Sequence, residues 1–401
     1  MEKYEFKVGN DNGNSEQDIV INGDIIKSPS VHSRIIKLPN LEEIKEEYVA
    51  KNIHENLIVT IESDSLNQGA AATYYVGKYA SKSGKMLTNI KIGAINDKVQ
   101  SDIPVVNTLA HIAGHAVSLA YEEKKDIKDE IEVSVDMTTG LPVNQYNQKN
   151  VTDFMNRFVG KKHRVVVHLG ITKVTVNIIF DFVKVLPEGI PTVFYLQSLK
   201  NNKEEANAVL KSFNEQYSFS EKNQFDFNQK KILHVSIGEG TTEYPLTEGI
   251  EYNPNFIQGS NNGAGHAIND VLPTFIENKK LTKYARQQFS EVLIDTTHQY
   301  HVDASDLIQE GLYEQTLVIM DYVMQQVGKA NNEVDLILVY GGGSILMREY
   351  LEAEIKKFGA AVGIPVLYIP KERAVTVECL GMYEFTKSAI FNALKKRYST
   401  K

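Results

Sequence analysis

The chain has 401 residues, 42% of them hydrophobic, which is long for one core and enough to bury a core in each of two domains. A net charge of −8 argues against a protein that coats nucleic-acid phosphates by itself, and the single cysteine, Cys379, excludes a disulfide framework and fits a reducing, cytoplasmic compartment. No apolar run reaches the roughly 18 residues that span a bilayer, and Met1-Glu2-Lys3-Tyr4 is too charged to open a signal peptide.

Strand-like and helix-like segments alternate along the chain, which reads as α/β. Residues 4–8 alternate polar and apolar. Asn12-Gly13 predicts a tight turn, because both residues tolerate positive φ, and residues 18–26 supply the return strand with a further turn at Asn22-Gly23. Strands are expected at 57–61 and 72–79. A helix is expected at 103–121, where Val106, Leu109, Ala110, Ala113 and Val117 form one stripe. A strand at 131–135, a short helix at 150–158 and strands at 164–168 and 174–185 follow. The second half repeats the grammar: a helix at 203–217, an apolar strand at 231–237, helices near 264–276 and 304–327, and a buried-type strand at 334–340. Ser344 is placed to cap a helix that runs to Phe358 and stops at Gly359. A short strand at 365–369 and a last helix at 375–396 complete the chain. Lys395-Lys396-Arg397 near its end reads as a solvated helix terminus.

Three glycine-bearing turns each follow a predicted strand: Gly9-Asn10-Asp11-Asn12-Gly13-Asn14, Gly238-Glu239-Gly240-Thr241-Thr242, and Gly341-Gly342-Gly343-Ser344. Glycine lets main-chain amides approach phosphate oxygens closely, Thr and Asn side chains add donors, and an acidic neighbour such as Asp11 can hold hydrated magnesium. A glycine triplet before a helix offers a flat surface for an adenine ring. Taken singly, each is an ordinary turn; three in this order are far more specific. Gly77-Lys78-Tyr79 and Gly84-Lys85-Met86 fail the Walker pattern, and Gly238 and Gly240 are not completed to G-x-G-x-x-G. His111 and His115 share a helical face at i,i+4, but Ile112 replaces the Glu of a zincin, so packed or solvent-facing histidines are the default there and at His298 and His301. Cys379 reads as a small buried residue.

This order of motifs resembles the superfamily of actin, the heat-shock chaperone ATPases and the sugar kinases. Asp11-Asn12-Gly13-Asn14 is similar to its first phosphate loop, Gly238-Glu239-Gly240-Thr241-Thr242 to its second, and Tyr340-Gly341-Gly342-Gly343 to its adenosine motif. Within it, Pro187-Glu188-Gly189-Ile190-Pro191 and Glu378-Cys379-Leu380-Gly381-Met382-Tyr383 resemble segments of the ParM-like plasmid-segregation actins. The resemblance implies an actin-like ATPase fold: two ribonuclease-H-like domains around a nucleotide cleft, with residues 1–186 plus 376–401 as domain I and 187–375 as domain II. It implies ATP or ADP with Mg2+, the metal held through water by Asp11. The nucleotide-binding residues would be Asp11, Asn12, Gly13, Asn14, Gly238, Gly240, Thr241, Thr242, Gly341, Gly342, Gly343 and Ser344. Glu188 would orient the attacking water.

Two positions depart from the pattern. Ser236 stands where the superfamily carries an Asp at the start of the second phosphate loop, and Glu239 is the candidate to take over its charge. Asp18 stands about where actin has a phosphate-contacting lysine. The expected function is a polymerising ATPase whose partners are copies of itself and a ParR-type adaptor bound to plasmid DNA, with neither direct DNA binding nor a membrane partner. The alternatives are a sugar- or acetate-kinase-type phosphotransferase, for which Asp181 and Asp295 are the open candidates for the base, and a cell-shape actin homologue. A chaperone ATPase would carry a further peptide-binding domain.

Overall fold

The computed structural model describes residues 2–39, 45–67, 71–90, 97–123, 130–220, 225–256 and 258–400. The chain forms two compact units, one of residues 1–141, 145–186 and 382–401, the other of residues 142–144 and 187–381.

In the first unit the strand Glu2–Asn12 is central. It pairs antiparallel with Glu16–Ile21, which pairs in turn with Asp24–Pro29, and parallel with Ile131–Leu141. The sheet continues through Thr172–Pro187, His163–Leu169, Ile58–Ser63, Ala72–Val76, Val31–Ile35 and Thr88–Asn89. The helix Ile103–Glu122 packs its stripe into this core. Against the sequence expectation it is long and apolar enough to span a membrane, but its 18-residue apolar window is 83% buried within the fold. It is apolar on nearly every side because it is a central core helix.

The second unit has the same grammar. The strand Lys231–Ile237 pairs antiparallel with Thr242–Glu243 and Leu246–Glu248, and parallel with Leu336–Tyr340, which pairs parallel with Val366–Tyr368. Alternation along these strands fills two layers. Leu233, Val235, Ile237, Ile337 and Val339 face the helices Ala264–Asn278, Arg286–Ile294, His301–Lys329 and Arg348–Val362. Ile232, Leu336, Leu338 and Tyr340 face Thr192–Ser198 and Lys203–Gln216.

Local chemistry explains both agreements and corrections. Asn22 and Gly23 take φ of 50° and 107°, the two positive values of a two-residue hairpin turn. Asn12-Gly13 does not turn this way. Asn12 pairs with Gln17, residues 13–16 form the loop, and neither Asn12 nor Gly13 has positive φ. Gly13 is needed instead for close approach, since a Cβ there would lie 2.5 Å from the Glu16 carbonyl oxygen. The strand expected at 72–79 ends at Val76, because Gly77 turns the chain into the helix Gly77–Lys82 at φ +57°.

Ser344 does not cap a helix: its hydroxyl donates to the Gly341 carbonyl at 2.7 Å within the short helix Gly342–Leu346. The next helix continues past Gly359 to Val362, where Gly363 closes it at φ 73°. The last helix is two, Val377–Lys387 and Ala389–Ser399, because the Ser388 hydroxyl accepts the Phe391 N–H and starts a new helix.

Candidate nucleotide site

Each unit contains a hairpin with loop amides that donate to no protein acceptor among the described residues. In the first unit, the N–H groups of Gly13, Asn14 and Ser15 donate to no protein acceptor among the described residues. A buried amide network holds this loop from beneath. Gln17 Nε2 donates to Asn10 Oδ1 at 2.8 Å and Asn12 Oδ1 at 3.0 Å, Asn10 Nδ2 to Thr108 Oγ1 at 2.8 Å, and Asn12 Nδ2 to Thr139 Oγ1 at 3.2 Å. The Asn12 side chain is thus turned into the core at 1% exposure, and only its backbone belongs to the loop. Asn14 stays partly exposed.

Asp11 lies opposite Asp18 in the hairpin register and is partly exposed. The Asp18 carboxyl is buried, and its pKa is pushed well above the usual carboxylate range, first by burial and then by Glu16 and Asp11. Burial thus favours the neutral form of Asp18, while Asp11 opposite it is partly exposed. One such carboxylate fits hydrated magnesium, which keeps several of its waters.

In the second unit, Ile237 pairs with Thr242 and leaves residues 238–241 as the loop. Gly238 N–H donates to the Thr241 carbonyl at 2.9 Å, while the N–H groups of Glu239, Gly240 and Thr241 have no protein acceptor among the described residues. The start of the helix Ala264–Asn278 braces this loop: Gly265 N–H donates to Glu239 O at 2.8 Å, and Ala264 N–H to Gly238 O at 3.3 Å. Thr242 is buried and its hydroxyl donates to Asn262 O, so Thr241 is the threonine left at the surface. Glu239 forms an ion pair with Arg286, Oε1 to Nε 2.8 Å, with both side chains less than a tenth exposed. The sequence did not single out Arg286, and this pair gives the Glu239 charge a structural partner. The third turn packs against the second. A Cβ on Gly341, at φ +93°, would collide with the Ile237 carbonyl, and one on Gly343 would collide with the Ile237 side chain and lie 2.9 Å from Gly238 O. Gly342 is exposed and would meet only Val375 Cγ1, at 3.5 Å. Ser344 is fully buried.

Glu188 occupies a turn at the end of the strand Thr172–Pro187 and is partly exposed. Gly189 follows at φ +89°, as the third position of a type II turn requires. Buried groups hold its peptide from both sides. Glu378 Oε1 accepts Gly189 N–H at 2.5 Å, and Tyr340 Oη donates to Gly189 O at 2.8 Å. Tyr340 also meets His234 Nδ1 at 3.3 Å, and His234 Nε2 meets Thr247 Oγ1 at 3.0 Å. Burial lowers the His234 pKa to about 3, so this ring is neutral.

Other candidates have structural roles. His111 Nδ1 lies 3.1 Å from His54 Nδ1, and among the described residues no group of three or more His, Cys, Asp or Glu is placed to hold a metal. Cys379 is buried and its thiol contacts Thr376 O. His298 receives the Tyr300 N–H, and His301 faces the Val292 carbonyl.

A duplicated sheet, each copy opening in a hairpin with a free-amide loop, is the actin-like fold. Residues 9–190 match the family model described as the N-terminal domain of actin-like proteins. It is similar in structure to the actin-like protein Alp7A, with a TM-score of 0.66 at 14% identity over 99% of this chain and 100% of that one. It is likewise similar to the archaeal actin homolog Ta0583 in complex with ADP, with a TM-score of 0.60 at 15% identity over 96% and 99% of the two chains. ParM of Bacillus thuringiensis with AMPPNP gives 0.59 at 16% identity over 98% and 99%. No curated protein matches the sequence.

Proposed function

We propose that this chain is a ParM-type ATPase that assembles into nucleotide-dependent filaments and moves plasmid DNA through a ParR-type adaptor in the cytoplasm. The observation that carries the reading is the pair of hairpin loops, 13–15 and 239–241, whose amides have no protein acceptor among the described residues. Such amides suit phosphate oxygens, with the exposed Gly342 as the surface for the base. Asp11 would hold magnesium through water, and magnesium when bound would neutralise phosphate charge. Glu188 would orient the attacking water and take its proton as the water oxygen bonds to the γ-phosphorus and the bond to the β,γ-bridging oxygen breaks. The net charge of −8 supports an adaptor, since an acidic protein gains little by releasing counterions from DNA.

The kinase alternative has weaker support. Asp181 accepts from Ser134 Oγ at 2.9 Å and pairs with Lys395 at 3.3 Å, while Asp295 is fully exposed and its pKa is lowered by Thr297. Both side chains are exposed and already engaged in hydrogen bonds. The test is ATP binding and phosphate release by the wild type and Glu188→Ala. The variant should release phosphate at least about 10²-fold more slowly with affinity unchanged. Wild-type-like release from the variant would remove Glu188 from the chemistry.

A further inference from the structure

We infer that Glu378 is a positioning residue that clasps the catalytic turn to the strand ahead of the second phosphate loop. The inference rests on the ATPase reading above and adds a residue to it.

Ser236 is the residue before the last in the strand Lys231–Ile237, immediately ahead of the loop Gly238–Thr241. It is 9% exposed, and its hydroxyl donates to Glu378 Oε2 at 3.3 Å. The other oxygen, Oε1, receives the Gly189 N–H at 2.5 Å. One carboxylate, 6% exposed, therefore joins the strand that carries the phosphate loop to the peptide that follows Glu188. Buried hydrogen bonds to a charged acceptor are strong and directional, so the turn is held in one orientation. The helix Val377–Lys387 that carries Glu378 is itself pressed against this segment, because Gly381 leaves no room for a Cβ beside the Pro191 carbonyl.

The geometry also explains why Ser236 is not an Asp. A carboxylate there would face Glu378 across a hydrogen-bond distance in a buried place, and two like charges so close cannot both ionise. The strand keeps a donor, and the helix provides the acceptor. The clasp lies wholly within the second unit. Gly189 and Glu378 lie close in sequence to the points where the chain passes to the first unit, after Leu186 and before Met382. A shift of the phosphate loop along Ser236 would thus reach the Glu188 turn through one side chain.

The experiment compares the full-length wild type with Glu378→Ala, Glu378→Gln, Ser236→Asp and the double variant Ser236→Asp/Glu378→Gln. The readouts are single-turnover phosphate release, affinity for a fluorescent ATP analogue, and melting temperature. Gln keeps an acceptor for Gly189 N–H and a donor toward position 236. Glu378→Ala should slow phosphate release at least tenfold with nucleotide affinity within threefold, and Glu378→Gln should stay within threefold of wild type. Ser236→Asp should be slow, and the double variant should recover.

Glu378→Ala that hydrolyses as fast as wild type overturns the inference, as does a loss of affinity parallel to the loss of rate, which marks a merely structural residue. If Glu378→Ala does not fold, the Ser236→Asp pair decides: equal impairment of single and double variants overturns the clasp. A wild type that binds ATP but never hydrolyses it defeats the ATPase reading itself, a result distinct from any of these.

Discussion

Gly342→Val and Gly343→Ala separate ligand contact from packing within one triplet. At Gly343 an added methyl meets the Ile237 side chain and lies 2.9 Å from Gly238 O and 3.1 Å from Ile237 O. Two of these atoms are backbone and cannot swing away. Overpacking of this kind costs about 1–3 kcal/mol, and at roughly 2–4 °C per kcal/mol for a unit of this size Gly343→Ala should lower the melting temperature by several degrees. At Gly342 the Cβ meets only Val375 Cγ1, at an ordinary 3.5 Å, and the residue is exposed. Its valine variant should keep stability to within about 0.5 kcal/mol. The branched side chain would stand where the base is proposed to lie, and nucleotide affinity should fall at least about tenfold, or 1.4 kcal/mol. Titration with a fluorescent nucleotide beside a thermal melt reads both quantities. A folded Gly342→Val protein with wild-type affinity would refute the assignment of this turn to the base.

Breaking the buried ion pair at Glu239 should be costly. Arg286→Met leaves an uncompensated carboxylate and should destabilise the second unit by about 3–5 kcal/mol in urea unfolding, while Arg286→Met/Glu239→Gln recovers most of it; equal losses in both would contradict the pair. Acid should also weaken the fold. Burial lowers the pKa of His111 to about 3 and of His32 and His168 to about 4. Below the unfolded value near 6.5 the unfolded chain binds protons the folded chain refuses, so stability is full above about pH 6.5 and falls as pH drops toward 4. Each histidine contributes a slope of up to about 1.4 kcal/mol per pH unit. Melting temperatures between pH 7 and 5 should decline, less steeply in His168→Gln; a flat profile would exclude these rings as the cause.

The fold was largely legible because its central strands are dense in apolar residues and its turns carry local chemistry. Residues 231–237 and 334–340 were readable as buried strands, the second starting at Leu336 in the structure, and Asn22-Gly23 as a turn, because in each case neighbours in sequence set the structure. Where the deciding partner is distant, the sequence said less. Asn12 looks like a loop donor until Gln17, Thr108 and Thr139 turn it inward. Glu239 looks like a free acid until Arg286 meets it, from a helix far along the chain. Glu378 stood in a recognisable segment, but its hydrogen bonds to Gly189 and Ser236 arise only in three dimensions. Boundaries failed for local reasons that compete with periodicity: Gly77 broke a strand, and Ser388 split a helix whose apolar spacing runs on.

Sedimentation of the purified protein across a concentration series, with ATP, with ADP and without nucleotide, tests the central claim most directly, with electron microscopy of the pellets. The account predicts filaments that pellet above a threshold concentration with ATP and disperse as ATP is consumed, and filaments of Glu188→Ala that persist after the wild type has dispersed. A protein that binds ATP yet stays monomeric at every concentration would contradict it.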